Sequence, residues 1–119
     1  MDKFHKIQTI TLDNKVYNLG FKVVTQNLES LGLRKNPNII KYTISEWYFL
    51  QENQIVSGQE DFGGIWVART LSGAKGLQNY MRKHYLRETK IFKTAIDTIL
   101  YSNSYRMKTN GINMLEEII

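Results

Sequence analysis

Residues 65–74 read IWVARTLSGA and join a predicted strand to a predicted helix. Ile65–Ala68 is a short apolar run bounded by glycine on its N-terminal side, a pattern typical of a buried strand. Ser72 is a good N-cap, and apolar residues recur after it at helical spacing. We therefore predict one amphipathic helix over residues 73–85, whose apolar side carries Ala74, Leu77, Tyr80, Met81, His84 and Tyr85.

Short strands are predicted on both sides of this junction. Ile7–Leu12 and Val16–Leu19 flank Asp13-Asn14-Lys15, residue types that tolerate the tight turn of a hairpin. Phe21–Val24 follows Gly20 as a third strand. Further strands are predicted at residues 39–42, 46–50 and 90–94, and an apolar stretch follows the Asn110-Gly111 turn, whereas residues 96–101 fit either a strand or a helix.

The remaining segments are predicted turns. Thr25 is expected to cap a short helical turn that carries Leu28 and Leu31 and stops at Gly32. Asn36-Pro37-Asn38 is expected to turn because proline restricts its own φ and its predecessor. Strands first, with one main helix, predict an α+β fold: a small antiparallel sheet with hairpins and one main amphipathic helix. No linker or repeat divides the chain, so we expect a single domain over residues 1–119.

The composition is that of an ordinary globular protein. Of 119 residues, 42% are hydrophobic and 23% are charged, and none is cysteine, which excludes disulfides and thiolate metal sites. No apolar run approaches the roughly 20 residues that span a bilayer, and the N-terminus lacks the apolar core of a signal peptide. We therefore expect a cytoplasmic protein with no membrane partner.

The positive charge is concentrated in the second half of the chain. Residues 63–119 hold nine Lys or Arg against four Asp or Glu, which accounts for the whole net charge of +5. Within residues 69–93 the only acidic residue is Glu88, against seven basic ones. Such a field attracts phosphates. The alternative interpretation is a solvated helix face that lysines keep soluble.

The usual enzyme signatures are absent from the sequence. The chain has two histidines, His5 and His84, and neither belongs to a His-Glu-x-x-His or His-x-Ser/Thr motif. Gly-x-Ser-x-Gly, Gly-x-Gly-x-x-Gly and the phosphate-binding loop of nucleotide hydrolases do not occur. We expect no catalytic residue, no cofactor and no bound metal.

One pattern keeps a nuclease open as a minor alternative. Asp61 followed by Glu88-Thr89-Lys90 matches an arrangement in which two carboxylates hold magnesium and a lysine stabilises developing charge. The spacing is loose, and it arises easily by chance in a charged chain. The alternative interpretation is a surface glutamate among basic residues.

The first candidate ligand site is the strand-to-helix junction that begins at Trp66. The first N–H groups of a helix lack intrahelical partners and carry partial positive charge, so they bind phosphate. Gly73 allows close approach to the backbone, Thr70 and Ser72 add hydroxyl donors, and the Arg69 guanidinium grips two oxygens at once. The alternative is that Ser72 only caps the helix and Arg69 is solvated.

The second candidate cluster is the segment 101–109, which alternates aromatic, amide and cationic side chains. Tyr101 and Tyr105 offer rings for stacking on a nucleobase, and Asn103 offers an amide for a ribose or a base edge. Arg106 and Lys108 offer cations for phosphate. The alternative is a polar loop with Tyr105 tucked into the core. If this cluster and the strand-to-helix junction face one cleft, together they form a small nucleotide pocket.

Two stretches, together with the chain's size and basic balance, resemble the small Thoeris anti-defence proteins of phages. They run from Gly63-Gly64-Ile65-Trp66-Val67-Ala68-Arg69 to Tyr80-Met81, and from Ile99-Leu100-Tyr101 to Lys108-Thr109. That family sequesters cyclic ADP-ribose signals made by TIR-domain immune proteins, and some members also hold cyclic oligonucleotides. The resemblance covers the C-terminal half. It implies binding without catalysis, a homo-oligomer with pockets shared between protomers, and action in the host cytoplasm.

The sequence thus favours a non-enzymatic protein that sequesters a small anionic nucleotide. A small basic DNA- or RNA-binding phage or plasmid protein is the main alternative, and a magnesium-dependent nuclease is a lesser one. An inhibitor that masks an acidic protein surface also stays open.

Overall fold

In the computed structural model, which describes residues 7–33 and 39–119, an antiparallel sheet of eight strands carries one helix. The strands and the helix are β1 (Thr9–Leu12), β2 (Lys15–Thr25), β3 (Trp47–Phe49), β4 (Ile65–Ala68), α1 (Leu71–Tyr85), β5 (Thr89–Ile96), β6 (Ile99–Ser102), β7 (Arg106–Thr109) and β8 (Gly111–Ile118). Along the sheet they follow the order β3-β8-β5-β2-β4-β7-β6, with β1 paired to β2. The predicted α+β class is confirmed, and most of the fold is sheet.

The first hairpin forms where the sequence predicts it. Asp13 and Asn14 connect β1 to β2 with φ values of 52° and 65°, a left-handed conformation that these short polar residues accept. Two left-handed residues in succession match the twist of the flanking strands, which is why this loop favours a hairpin.

β2 is longer than predicted and does not break at Gly20. It pairs with β5 continuously from Asn18 to Thr25. A Cβ on Gly20 would lie 2.6 Å from Cγ2 of Val67, so glycine here allows β2 and β4 to approach each other. The glycine that suggested a strand boundary therefore serves close packing inside a strand.

The helical turn predicted after Thr25 is absent, and that prediction was wrong. The Thr25 hydroxyl oxygen accepts hydrogen bonds from the backbone N–H groups of Asn27 and Glu29 at 3.2 and 3.1 Å. Leu28 then takes a left-handed φ of 63°, which a helix does not allow. A side chain that bonds its own backbone competes with helix formation, and here it produces a tight turn.

One more segment differs from its prediction, one that was left open is found in strands, and one lies outside the described residues. Residues 39–42 make an isolated bridge between Lys41 and Glu29 instead of a strand. The ambiguous residues 96–101 divide between the end of β5 and the start of β6. The turn predicted at Asn36-Pro37-Asn38 belongs to the undescribed residues 34–38.

Both faces of the sheet are covered, because successive side chains of a strand point to opposite faces. On one face α1 packs its buried Ala74 against Leu19, Phe21 and Val23 of β2. On the other face the core includes Val24, Ile65, Val67, Phe92, Ile96, Met107, Ile112 and Met114, with Tyr42 packed onto them. Among the described residues, no helix has the length and apolarity needed to cross a membrane.

Candidate ligand-binding site

The sheet opens between β2 and β4. In the described part of the chain these strands share one register pair, Phe21 with Ala68. Beyond that pair, residues 22–25 of β2 stay bonded to β5, and residues 65–67 of β4 stay bonded to β7. A cavity of about 380 Å³ lies against this opening, within the range of small-molecule pockets. Its apolar wall includes Phe21, Val23, Leu31, Leu33, Ile40, Val67 and Leu77.

Four of the predicted ligand residues line this cavity. Trp66 and Gly73 come from the strand-to-helix junction, Tyr105 comes from the turn between β6 and β7, and Arg106 is the first residue of β7. A Cβ on Gly73 would lie 3.9 Å from the Tyr105 carbonyl oxygen, so the two segments are in contact at this point. Part of each cluster that the sequence identified separately therefore faces one cavity.

The helix begins two residues earlier than predicted, because its N-cap is Thr70 and not Ser72. The Thr70 hydroxyl accepts a hydrogen bond from the Gly73 N–H at 3.0 Å, and the Thr70 carbonyl accepts one from the Ala74 N–H. The Gly73 N–H was predicted to bind a phosphate, but it donates its hydrogen bond to the Thr70 hydroxyl. Ser72 is exposed in the first turn of α1.

Arg69 is buried and braces the turn between β6 and β7. Its side chain is almost enclosed, with 9% of the residue accessible, and Nη1 donates to the Asn103 carbonyl at 2.7 Å. Its backbone N–H donates to the Tyr105 carbonyl at 3.0 Å. The guanidinium that was predicted to grip phosphate therefore holds two protein segments together.

Asn103 acts inside the same turn. Its side-chain oxygen accepts hydrogen bonds from the backbone N–H groups of Tyr105 and Arg106 at 2.8 and 2.9 Å. This is the turn-forming role that asparagine often has, and it replaces the predicted contact with a ribose or a base. Tyr105 is 78% exposed, so the alternative that placed its ring in the core was wrong.

Trp66 is the centre of an aromatic and cationic group beside the cavity. The Arg106 guanidinium carbon lies 3.9 Å from the centroid of the Trp66 ring, a close cation–π contact. Tyr101 meets the same indole edge-on at 6.0 Å, so it supports Trp66 and is not among the cavity-lining residues. The indole N–H donates to the Asp61 carbonyl at 2.8 Å. The Asp61 carboxylate accepts a hydrogen bond from Arg106 Nη2 at 3.5 Å.

Lys108 is fully buried and supports the loop before β4. Its ammonium donates to the carbonyl oxygens of Glu60 and Phe62, both at 3.1 Å. Burial lowers the pKa of Lys108, and the nearby charges of Glu60 and Asp61 oppose this shift. A Cβ on Gly64 would overlap the Lys108 stem, so glycine makes room for it. Lys108 is therefore a structural cation instead of the predicted phosphate ligand.

The sequence reasoning missed Lys22, which lines the cavity from β2. Its ammonium donates to the Trp66 carbonyl across the gap between β2 and β4 at 2.8 Å, and it lies 6.0 Å from the Tyr42 ring centroid. Burial lowers the pKa of Lys22 to about 8. The signal in the sequence was a single lysine inside the apolar run Phe21–Val24.

The two carboxylates of the nuclease pattern bind different arginines. Asp61 pairs with Arg106 beside the cavity, whereas Glu88 follows α1 and receives Arg82 Nε at 3.1 Å. Within residues 7–33 and 39–119, no group of three acidic, histidine or cysteine side chains is arranged to hold a metal ion. The pattern gains no support from this geometry.

The cavity therefore combines an apolar wall with four other groups. These are the Trp66 indole, the Arg106 guanidinium stacked on it, the exposed Tyr105 and the partly buried Lys22. Such a site can hold a planar molecule that carries negative charge. Comparison of the chain with protein-family models, with curated proteins and with solved structures finds no match.

Proposed function

We propose that this protein binds a small anionic nucleotide in the cavity between β2 and β4 and releases it chemically unchanged. In this proposal it is a phage-type anti-defence protein that sequesters a cyclic nucleotide immune signal, with a cyclic ADP-ribose isomer as the first candidate and cyclic oligonucleotides as the second. The observation that carries the proposal is that residues of the junction and of the β6–β7 turn line one cavity.

The cavity offers a separate contact for each part of a nucleotide: its phosphate, its base and its uncharged body. Arg106 keeps 31% of its side chain accessible beside Trp66, so its guanidinium can bond to a phosphate while it remains stacked on the indole. The exposed Tyr105 ring offers a surface for a base, and the apolar wall takes the part of the ligand that carries no charge. Retention without turnover needs only such preorganised contacts.

The proposal includes a homo-oligomer in the cytoplasm. The strands at the two ends of the sheet path, β3 and β6, have edges that another copy can pair with or cover. Phe49 of β3 is 52% exposed, which favours apolar packing between copies at that edge. Native mass spectrometry measures the copy number and the mass of a retained ligand together.

The first test is retention of cyclic ADP-ribose isomers by the purified protein, followed by heat release and mass analysis. We expect an intact ligand, and Arg106→Ala should weaken retention at least about tenfold, since a charge-assisted hydrogen bond contributes roughly 1.5–3 kcal/mol. Arg82→Ala is the matched control, because Arg82 is exposed and pairs with Glu88 after the far end of α1. Recovery of a hydrolysed product, or equal retention by both variants, would contradict the proposal.

The exposed basic residues of α1 favour nucleic-acid binding as a second candidate function. Lys75, Arg82 and Lys83 on the helix and Arg87 just after it are all exposed. Binding through these residues would weaken steeply with salt, by a logarithmic slope of about −0.9 for each phosphate contacted on duplex DNA. A combined Lys75→Ala, Lys83→Ala variant should lose such binding and keep nucleotide retention. Salt-sensitive nucleic-acid binding that this variant loses, in a protein that retains no nucleotide, would select the nucleic-acid function.

A further inference from the structure

Lys22 brings a positive charge to the inner side of the cavity. It extends from β2 where the ladder to β4 has ended, and its ammonium reaches the Trp66 carbonyl at 2.8 Å. An ammonium carries three N–H donors. In the described residues, that carbonyl is its one hydrogen-bond acceptor, and the Tyr42 ring at 6.0 Å adds a weaker contact.

The charged groups nearby do not neutralise Lys22. Asp61 also lines the cavity, but its carboxylate is engaged by Arg106. Tyr42 stays neutral, because burial and the neighbouring Tyr48 raise its pKa. Burial lowers the pKa of Lys22, and among the described residues no carboxylate forms a salt bridge with it. A cation in such surroundings is stabilised by any anion that enters the cavity.

We infer that Lys22 is the anion-binding group of this cavity, and that the ligand is a planar molecule whose phosphate or carboxylate contacts the Lys22 ammonium between β2 and β4. This inference deepens the proposed function, on which it rests for the location of the ligand. It adds a second anion contact to that of Arg106, and it places the planar body of the ligand against Leu31 and Leu77 on the apolar wall.

The test compares two ligands that differ in one anionic group, adenosine 5′-monophosphate and adenosine, by calorimetry. We expect the wild-type protein to bind the monophosphate at least about tenfold more tightly. Lys22→Met keeps an unbranched stem and removes the charge, so this variant should lose most of that preference, and the part that remains belongs to Arg106. Its melting temperature should equal or exceed that of the wild type, because it also removes a buried charge. Lys75→Met, on the exposed face of α1, is the matched control and should keep the preference.

A second measurement uses the wild-type protein alone and so does not depend on how a variant folds. Nuclear magnetic resonance of the labelled lysine side chain follows the titration of Lys22 with and without the monophosphate. We expect the bound anion to raise the Lys22 pKa by at least about one unit. An unchanged pKa with bound ligand would overturn the inference.

A third ligand pair separates this inference from the nucleotide proposal. Naphthalene-2-carboxylate and naphthalene-2-carboxamide differ in charge and contain no nucleotide. A Lys22-dependent preference for the carboxylate, without binding of the monophosphate, supports the anion site and counts against the nucleotide function. A preference for the monophosphate that is undiminished in Lys22→Met supports the nucleotide function and overturns the role of Lys22. Absence of any Lys22-dependent preference in both pairs also overturns it.

Discussion

Residues of the same charge have different roles in this protein because their surroundings differ. Lys108 is enclosed and bonded to two loop carbonyls, whereas Arg106 is partly accessible and stacked on Trp66. Arg69 is buried against the Asn103 carbonyl. Lys22 donates a hydrogen bond to one carbonyl, that of Trp66, and lines the cavity. A basic residue near an aromatic one in the sequence is therefore a ligand candidate only where the fold leaves its donors accessible.

Gly64→Ala tests how tightly Lys108 is held. The added methyl group would overlap the Lys108 stem, which cannot swing away without losing its bonds to the Glu60 and Phe62 carbonyls. We expect the free energy of unfolding to fall by about 1–3 kcal/mol, measured by urea denaturation.

Gly76→Ala is the matched control for this substitution. A Cβ on Gly76 meets nothing within 4 Å, and the residue lies inside α1. Alanine should therefore raise the free energy of unfolding by about 0.5–1 kcal/mol through helix propensity. Equal effects of the two substitutions would show that Lys108 is not held rigidly.

The geometry of the junction between β4 and α1 depends on the residue that caps the helix, which is Thr70. Thr70 lies next to Arg69, whose side chain is fastened to the β6–β7 turn, so the cap sets the start of α1 close to that turn. This places Gly73 beside the Tyr105 carbonyl. The one pair between β2 and β4, Phe21 with Ala68, lies next to this junction, and the sheet opens on the other side of that pair.

Thr70→Ala and Ser72→Ala form a pair that tests the identity of the cap. Thr70→Ala should lower the free energy of unfolding by about 1 kcal/mol, since the Gly73 N–H loses its acceptor. Ser72→Ala should change it by less than about 0.5 kcal/mol, because Ser72 is exposed within the first turn. Thermal denaturation of both variants measures the difference. A larger loss for Ser72→Ala would restore the cap that the sequence predicted.

At the scale of the whole molecule, a partly buried lysine makes stability depend on pH. Lys22 has a pKa of about 8 in the folded protein and near 10.5 when exposed, so between these values the unfolded chain binds more protons. Stability should therefore rise with pH over this interval. Lys108 contributes with the same sign, because its pKa is also lowered. Tyr42 acts in the opposite direction above about pH 10, where exposed tyrosine ionises and the buried one does not.

We expect the free energy of unfolding to rise by about 2 kcal/mol from Lys22 between pH 7 and pH 9.5. Urea denaturation at several pH values measures it in the wild-type protein and in Lys22→Met. The difference between the two curves isolates Lys22 from Lys108 and from Tyr42. Parallel curves would mean that the ammonium is as well solvated in the folded protein as in the unfolded one.

The sequence by itself determined the elements whose signals are local. Two short strand segments flanking polar turn residues predicted the first hairpin, and helical spacing predicted α1 to within two residues at its start. The lack of cysteine determined that no disulfide forms. The sequence also identified the two segments that line the cavity, because glycine, tyrosine and arginine residues there are suited to binding a nucleotide.

Only the tertiary structure decided which of those residues face a ligand. The strands that carry Lys22 and Trp66 are 44 positions apart in the chain, and the gap between them exists because their ladder ends after one pair. Other contacts between segments distant in the chain bury Arg69 and Lys108, and they pair Arg69 Nη1 and Lys108 Nζ with backbone carbonyls. Burial and hydrogen-bond occupancy depend on residues distant in sequence, so local pattern does not determine them.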